Sequence, residues 1–408
     1  MKQPDTADEK SPATATGARA GKAKSKSAEK IPLEESVLEM EEGIEQDKPP
    51  HITGRRLNAV LVVIAFSVLF GYLFIAGEGT KTLEAIQQFN YWFLLAALGG
   101  MIVYWVLESV CMQLLVNQLH KGFSFLKTNI VTIIGQYFNG ITPLSSGGQP
   151  MQAYYYRRLG LPLSDAMTML LCRFIVYQTT VTLYSVVVLI LRFGYFTQHL
   201  AALMALVIVG FVGGVGLVAA LLALAFARKT TTRFVVWGIG FLARIHIIKH
   251  PEQVKLRALH SMREAYDGVT FLLSSPKLLF QVAGVTVVQL TVFFSVSYII
   301  YLGFGETGSD IVTVISCQAF VYMISSFVPL PGAMGAAEGS YVAFFSFVYS
   351  NSSLVALSTF VWRIFTFYLP IVLGMGLTVL VNNPHSLLSR YLARKDRESG
   401  YIPAGEGE

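Results

Sequence analysis

Long apolar runs separated by short polar stretches occupy most of the chain. Uninterrupted runs fall at roughly residues 57–76, 91–116, 164–191, 200–226, 276–302 and 353–382. About 20 apolar residues carry a helix across a bilayer, so these runs predict six full transmembrane helices. Two further apolar stretches, 123–158 and 311–350, are broken near their middles. The first break reads Ile141-Thr142-Pro143-Leu144-Ser145-Ser146-Gly147-Gly148-Gln149-Pro150. The second reads Phe327-Val328-Pro329-Leu330-Pro331-Gly332-Ala333-Met334-Gly335-Ala336-Ala337-Glu338-Gly339. Proline removes a backbone donor and clashes with the preceding turn, and glycine frees the backbone to bend. Broken backbone at membrane depth is tolerated only where protein buries it or where it lines a water-filled cavity.

The two breaks read as copies of one unit. Thr142-Pro143-Leu144 aligns with Val328-Pro329-Leu330, and glycine follows both. Ala166 precedes Arg173 by seven residues, and Ala356 precedes Arg363 by seven. Pro143 lies 30 residues before Arg173, and Pro329 lies 34 before Arg363. Chance is the competing explanation, because Pro and Gly are common in membrane helices. The repeated intramembrane arginine argues for true repetition. Paired interruptions in corresponding halves point to a transporter-type site.

Charge sets the expected orientation. Arg55 and Arg56 before the first run place the N-terminus in the cytoplasm by the positive-inside rule. His120, Lys121 and Lys127 precede the first broken stretch and Arg157-Arg158 end it, so it is expected to enter from the cytoplasm and return there. Residues 227–275 hold Arg228, Lys229, Arg233, Arg244, Lys249, Lys255, Arg257 and Arg263 against three acids, and are also expected to be cytoplasmic. Within them Leu259, Met262, Tyr266, Val269 and Leu273 recur at helical spacing. They predict an amphipathic helix, either at the membrane surface or packed on other cytoplasmic segments. Glu306 and Asp310 mark the far side, and Arg390, Arg394 and Lys395 return the C-terminus to the cytoplasm.

The expected fold is thus an all-α polytopic membrane protein of about six full transmembrane helices. Two re-entrant broken hairpins face opposite ways as an inverted repeat. Counting each hairpin arm as a full span is an alternative that charge leaves open. Residues 1–50, which lack aromatics and carry a Lys22-Lys24-Lys26-Lys30 patch before an acidic stretch, are expected to be a disordered cytoplasmic tail. Residues 51–385 form the membrane domain and 386–408 a second cytoplasmic tail. The expected location is the cell (plasma) membrane.

Composition agrees with this pattern. Of the 408 residues, 53% are hydrophobic and 14% charged, where soluble domains carry about 25% charged. The net charge of +6 divides into −3 over residues 1–50 and +9 over the remainder. In a membrane protein such an excess favours anionic lipid headgroups over nucleic acid as partner. Cys111, Cys172 and Cys317 all fall in apolar runs and read as small core residues. Without a His–Cys cluster or a paired-carboxylate spacing, the chain is expected to be no enzyme and to need no metal or cofactor.

Arg173 and Arg363 carry the candidate chemistry. A central arginine costs roughly 2.5–3.5 kcal/mol to insert, so it should face a cavity or a carboxylate. Glu108 and Glu338 are the candidate partners. One reading is a structural Arg–Glu pair or an arginine capping broken-helix carbonyls. The other is that one or both arginines bind an anion such as a lipid phosphate, for which a guanidinium offers paired donors in a fixed plane. Helices starting after Gly147-Gly148, and after Gly332 or Gly335, would point free N–H groups and a positive dipole end at the breaks. Ser145, Ser146 and Gln149 add neutral donors. Symmetry predicts that Arg173 and Arg363 face one mid-membrane cavity, with Glu338 close to one of them. Tyr154-Tyr155-Tyr156-Arg157-Arg158 reads chiefly as an interfacial aromatic belt, with a vestibule for lipid headgroups as the alternative.

At its breaks the sequence resembles the flippase-like transmembrane domain family of the bacterial lysylphosphatidylglycerol synthases. The resemblance rests on Phe138-Asn139 through Pro143, on Gly147-Gly148-Gln149-Pro150, on Arg173, and on Pro329-Leu330-Pro331-Gly332 to Gly335-Ala336-Ala337-Glu338. It covers approximately residues 55–385. Two-domain members of that family make aminoacylated phosphatidylglycerol with a soluble C-terminal domain and move it across the membrane with the membrane domain. Here 26 residues follow Asn382, so a lone membrane domain without the synthase is expected. With the opposed hairpins and the buried arginines, the resemblance implies a flippase or transporter for an anionic or amino-modified phospholipid; without a P-loop, movement is expected to be passive or coupled to an ion gradient. The alternative is a non-transporting membrane partner that anchors or regulates a lipid-modifying or envelope-synthesis enzyme. An intramembrane enzyme using Glu108 or Glu338 is the third reading. A phospholipid is the expected partner, together with a second copy of the chain or an envelope-synthesis protein.

Overall fold

A computed structural model describes residues 86–199, 204–226 and 274–399, with isolated positions between 232 and 271. The expected first span at 57–76, the tail 1–50 and the amphipathic helix within 227–275 lie outside the described residues. Everything described belongs to one compact unit. The described residues are helical, in twelve α-helices: α1 Trp92–Leu119, α2 Phe125–Ile141, α3 Gly148–Arg158, α4 Leu163–Leu191, α5 Phe193–His199, α6 Met204–Phe226, α7 Pro276–Gly303, α8 Ile311–Ser325, α9 Ala336–Phe345, α10 Ser352–Arg363, α11 Leu369–Asn382 and α12 Leu387–Ser399. Three single-turn pieces join them: 3₁₀ turns at Pro143–Ser145 and Pro331–Ala333, and a π-helical turn at Ile364–Tyr368.

Four helices are long and apolar enough to cross a membrane: α1, α4, α7 and the composite of α10, the π turn and α11. Helix α6 lies on the expected run at 200–226. The fold is therefore that of an all-α, multi-pass membrane protein. Local chemistry marks the helix starts. Asn90 Oδ1 accepts from the Trp92 N–H (3.2 Å), Asp310 Oδ1 from those of Val312 and Thr313, and Asn351 Oδ1 from that of Leu354 (3.0 Å). Pro370 cannot donate to the carbonyl four residues earlier, and the backbone widens into the π turn just before it.

The most extensive helix pairing is α1 on α7. Helix α2 packs on α11, and the approach is close enough that a side chain on Gly374 would meet Tyr137 Cβ at 2.4 Å and the Ile133 carbonyl at 2.7 Å. Helices α2 and α3 pack together as one hairpin, α8 and α9 as another. Their arms have 17, 11, 15 and 10 residues, all short of the roughly 20 that a full span needs. This favours re-entrant hairpins over arms counted as spans.

The two hairpins open at opposite ends of the molecule. The base of the first adjoins the start of α4: Lys127 Nζ donates to the Leu159 carbonyl (2.8 Å), and Asp165, in the first turn of α4, pairs with His120 (2.6 Å). The base of the second adjoins the end of α4, where Arg192 pairs with Asp310. At 1.5 Å per residue the 29 residues of α4 separate these ends by about 43 Å. The tips meet between them, with the two 3₁₀ turns packed on each other. Tyr137, Ile141, Phe367 and Ile371 form the small core at this junction, flanked by Phe138, Met334 and Tyr368.

The structure shifts the register of the repeat. Thr142 (φ −114°, ψ 146°) superposes in conformation on Leu330 (φ −117°, ψ 146°), and Leu144 (φ 52°, ψ 22°) on Gly332 (φ 58°, ψ 17°). Pro143 therefore corresponds to Pro331, not to Pro329 as the tripeptide match suggested. The following helix begins five residues after the proline in both copies, at Gly148 and Ala336. Backbone dihedrals define the equivalence, and a three-residue match among prolines does not.

Candidate functional site

The two predicted arginines stand in two separate centres. Arg173 lies in the middle of α4 and is 5% exposed. Its Nη2 donates to Glu108 Oε2 at 2.5 Å and to Gln289 Oε1 at 2.7 Å, and its Nε donates to Glu108 Oε1 at 3.3 Å. Its Nη1 donates to Thr286 Oγ1 at 2.9 Å. Gln289 Nε2 donates back to Glu108 Oε2 at 2.6 Å. The guanidinium also stacks over the Tyr177 ring, 4.9 Å from its centroid, and Tyr177 and Tyr322 share a hydrogen bond of 2.9 Å. Three long helices, α1, α4 and α7, thus close a bidentate Arg–carboxylate pair inside a polar network.

Arg363 is equally buried, at 5% exposed, but differently served. It ends α10 immediately before the π turn. Its Nε lies 2.7 Å from Glu338 Oε1, a contact close enough for an ion pair but off the line of a hydrogen bond. Among the described residues, neither Nε nor Nη2, both buried, makes a hydrogen bond. Leaving a buried donor unmatched costs about 1–3 kcal/mol, and more for a charged group. The guanidinium carbon lies 5.0 and 5.2 Å from the ring centroids of Trp362 and Phe367. Phe367 in turn covers the second break, where a side chain on Gly332 would meet its ring at 2.1 Å.

Glu338 sits in the first turn of α9 with 22% of its side chain exposed, against 13% for Glu108. Its Oε2 accepts from the Gly335 N–H at 2.7 Å, so the carboxylate both caps the broken helix and faces Arg363. Gly335 holds φ +82°, a conformation L side chains rarely adopt. At the first break the equivalent N–H, on Gly147, donates to Thr142 Oγ1 at 2.8 Å. Ser145 and Ser146 are exposed at that tip, with Ser146 Oγ donating to the Pro143 carbonyl at 2.9 Å, and Gln149 is half-buried. Gly148 is buried against Asn139, where a Cβ would meet Oδ1 at 1.9 Å. Each break thus caps its own helix start with a side chain of this chain.

Two sequence expectations are corrected. The single cavity shared by both arginines is replaced by two centres with separate carboxylates, because each guanidinium finds a glutamate on its own side of the repeat. The tyrosine belt does not hold for Tyr155 and Tyr156, which are fully buried; the Asn382 amide donates to the Tyr155 hydroxyl at 2.9 Å. Cys111, Cys172 and Cys317 are buried thiols outside any disulfide, as small core residues should be. Sequence reasoning missed Thr286, Gln289, Tyr177, Tyr322 and Phe367. Thr286 and Gln289 had a legible signal: two polar residues three apart share one face of an otherwise apolar helix. Among the described residues no group of three or more His, Cys, Asp or Glu side chains comes together as a metal site.

Spanning helices, oppositely opening hairpins and a buried charged centre in each half define a multi-pass membrane protein built as an inverted repeat. The chain belongs to the family of the lysylphosphatidylglycerol synthase TM region, which it matches over residues 60–374. It is 25% identical over 339 residues to a UPF0104 membrane protein of Methanothermobacter thermautotrophicus, a match covering 78% of this chain and 94% of the relative. A UPF0104 membrane protein of Archaeoglobus fulgidus is 24% identical over 345 residues, covering 77% and 93%.

Proposed function

We propose that this protein is a phospholipid flippase, moving an anionic or amino-modified phospholipid between leaflets along the two broken hairpins. The observation that carries the reading is the meeting of the two hairpin tips. Two interrupted helices that open to opposite ends and touch in the middle form a barrier that each side can approach. Alternating access needs such a barrier, and paired interrupted helices at a repeat interface are where many transporters place their site. Membership of a lipid-related family supports phospholipid as the cargo. In this reading the protein transfers no group and has no catalytic residue. It resides in the cell membrane with both termini in the cytoplasm.

The test is reconstitution of the full chain into proteoliposomes carrying a fluorescent phospholipid on one leaflet. A reductant that bleaches only the outer leaflet then reports exchange. The expected result is faster, protein-dependent bleaching for phosphatidylglycerol or an aminoacylated derivative than for a neutral lipid. Equal rates with and without protein across a panel of anionic, zwitterionic and amino-modified lipids refute the reading.

A further inference from the structure

We infer that Arg363 is the receptor for a phosphodiester anion, with Glu338 as a built-in competitor that the ligand displaces. This deepens the flippase reading and rests on it for the identification of the anion as a lipid headgroup. The geometry comes first. A guanidinium offers five N–H donors in a fixed fork. At Arg173 that fork is filled by Glu108, Gln289 and Thr286. At Arg363 the adjacent Nε and Nη2 donors, which together make one edge of the fork, are buried and make no hydrogen bond among the described residues, although Glu338 Oε1 stands 2.7 Å from Nε. Two oxygens of a phosphodiester match that edge as a bidentate pair, which the off-line Glu338 carboxylate does not achieve.

Displacement is also chemically accessible. Glu338 is the more exposed of the two glutamates, and Gly335 already holds its second oxygen. It can therefore leave the guanidinium and remain hydrogen-bonded. Phe327, Leu330 and Leu144 are exposed beside the tips and offer apolar surface for the chains of a lipid. The π turn and Phe367 link the guanidinium directly to the second break, so occupancy of Arg363 bears on the tip itself.

The experiment uses the full chain in detergent and reads the emission of Trp362, adjacent to Arg363, as the difference between the protein and its Trp362→Phe variant. The probes are dihexanoylphosphatidylglycerol, inorganic phosphate and the uncharged dihexanoylglycerol. Phosphatidylglycerol is expected to give a saturable change and dihexanoylglycerol none. Glu338→Gln is expected to tighten phosphatidylglycerol binding several-fold by removing the competitor. Arg363→Gln is expected to weaken it at least about tenfold, as loss of a charge-assisted pair implies. A purely structural ion pair gives the opposite signature: Glu338→Gln leaves binding unchanged or weaker, and that result overturns the proposal. So does an equal response to dihexanoylglycerol. Inorganic phosphate binding as tightly as phosphatidylglycerol supports the receptor while refuting the lipid as its ligand. Intact binding with no transport in proteoliposomes supports the receptor and refutes the flippase.

Discussion

Around Arg173 the side chains of three helices converge, and the neighbours hydrogen-bond one another as well as the guanidinium. Around Arg363, among the described residues, Glu338 stands at ion-pair distance and the Trp362 and Phe367 rings flank the guanidinium. The two residues lie in the helix that follows each hairpin and are buried to the same degree. The difference lies in what flanks them. Arg173 sits mid-way along a continuous helix against two other long helices, where partners are fixed. Arg363 sits where an α-helix gives way to a π turn beside a break. A repeat can carry a buried arginine in each half and still divide its labour, with one held in a hydrogen-bonded network and the other carrying unmatched donors among the described residues.

The largest effect is expected from Glu108→Gln. It leaves the Arg173 charge uncompensated among buried groups, and breaking such a pair costs about 3–5 kcal/mol. Glu338→Gln also takes the carboxylate from a buried guanidinium, but fewer hydrogen bonds are lost and Glu338 is the more exposed glutamate, so it is expected to cost less, about 1–3 kcal/mol. Thermal unfolding of the purified variants in one detergent compares them, and equal losses would erase the asymmetry between the centres.

Gly332→Ala comes next. It places a Cβ within reach of the Phe367 ring at a residue with φ +58°. Overpacking of this kind costs about 1–3 kcal/mol. A melting temperature unchanged from wild type would show that the Phe367 ring does not pack tightly on the second tip. At the corresponding position of the first tip, Leu144→Gly removes an exposed side chain and relieves a left-handed conformation. These gains offset the added freedom of the unfolded chain, so the variant should stay within about 1 kcal/mol of wild type. A clear destabilisation there would break the equivalence of Leu144 and Gly332.

The smallest effect concerns pH at the base of the second hairpin. Burial pushes the Asp310 carboxyl up. The Thr313 hydroxyl and backbone N–H, with Arg192 beside them, outweigh it and hold the group below its ordinary value. A carboxylate with a depressed folded value stabilises above the unfolded value, about 3.9, and loses that contribution as pH falls through the folded one. The pair is largely exposed, so the contribution is below about 1 kcal/mol. Asp310→Asn should therefore lower stability slightly at pH 7, with the difference shrinking toward pH 3. A difference that grows on acidification would contradict the assignment.

Much of this was written locally in the chain. Apolar runs, prolines and glycines fixed where helices span and where they break, because helix formation and its interruption depend on residues a few positions apart. The cost of charge in hydrocarbon singled out Arg173 and Arg363, and also Glu108 and Glu338, before any contact was known. Which glutamate meets which arginine was not legible, since Glu108 and Arg173 lie 65 residues apart and Gln289 lies a further 116 beyond. Nor was the register of the repeat, which rests on the left-handed turns at Leu144 and Gly332. The open edge of Arg363 was decided by tertiary structure alone. Whether a buried donor finds an acceptor depends on the angle at which a distant helix presents its side chains, and no local pattern encodes that angle.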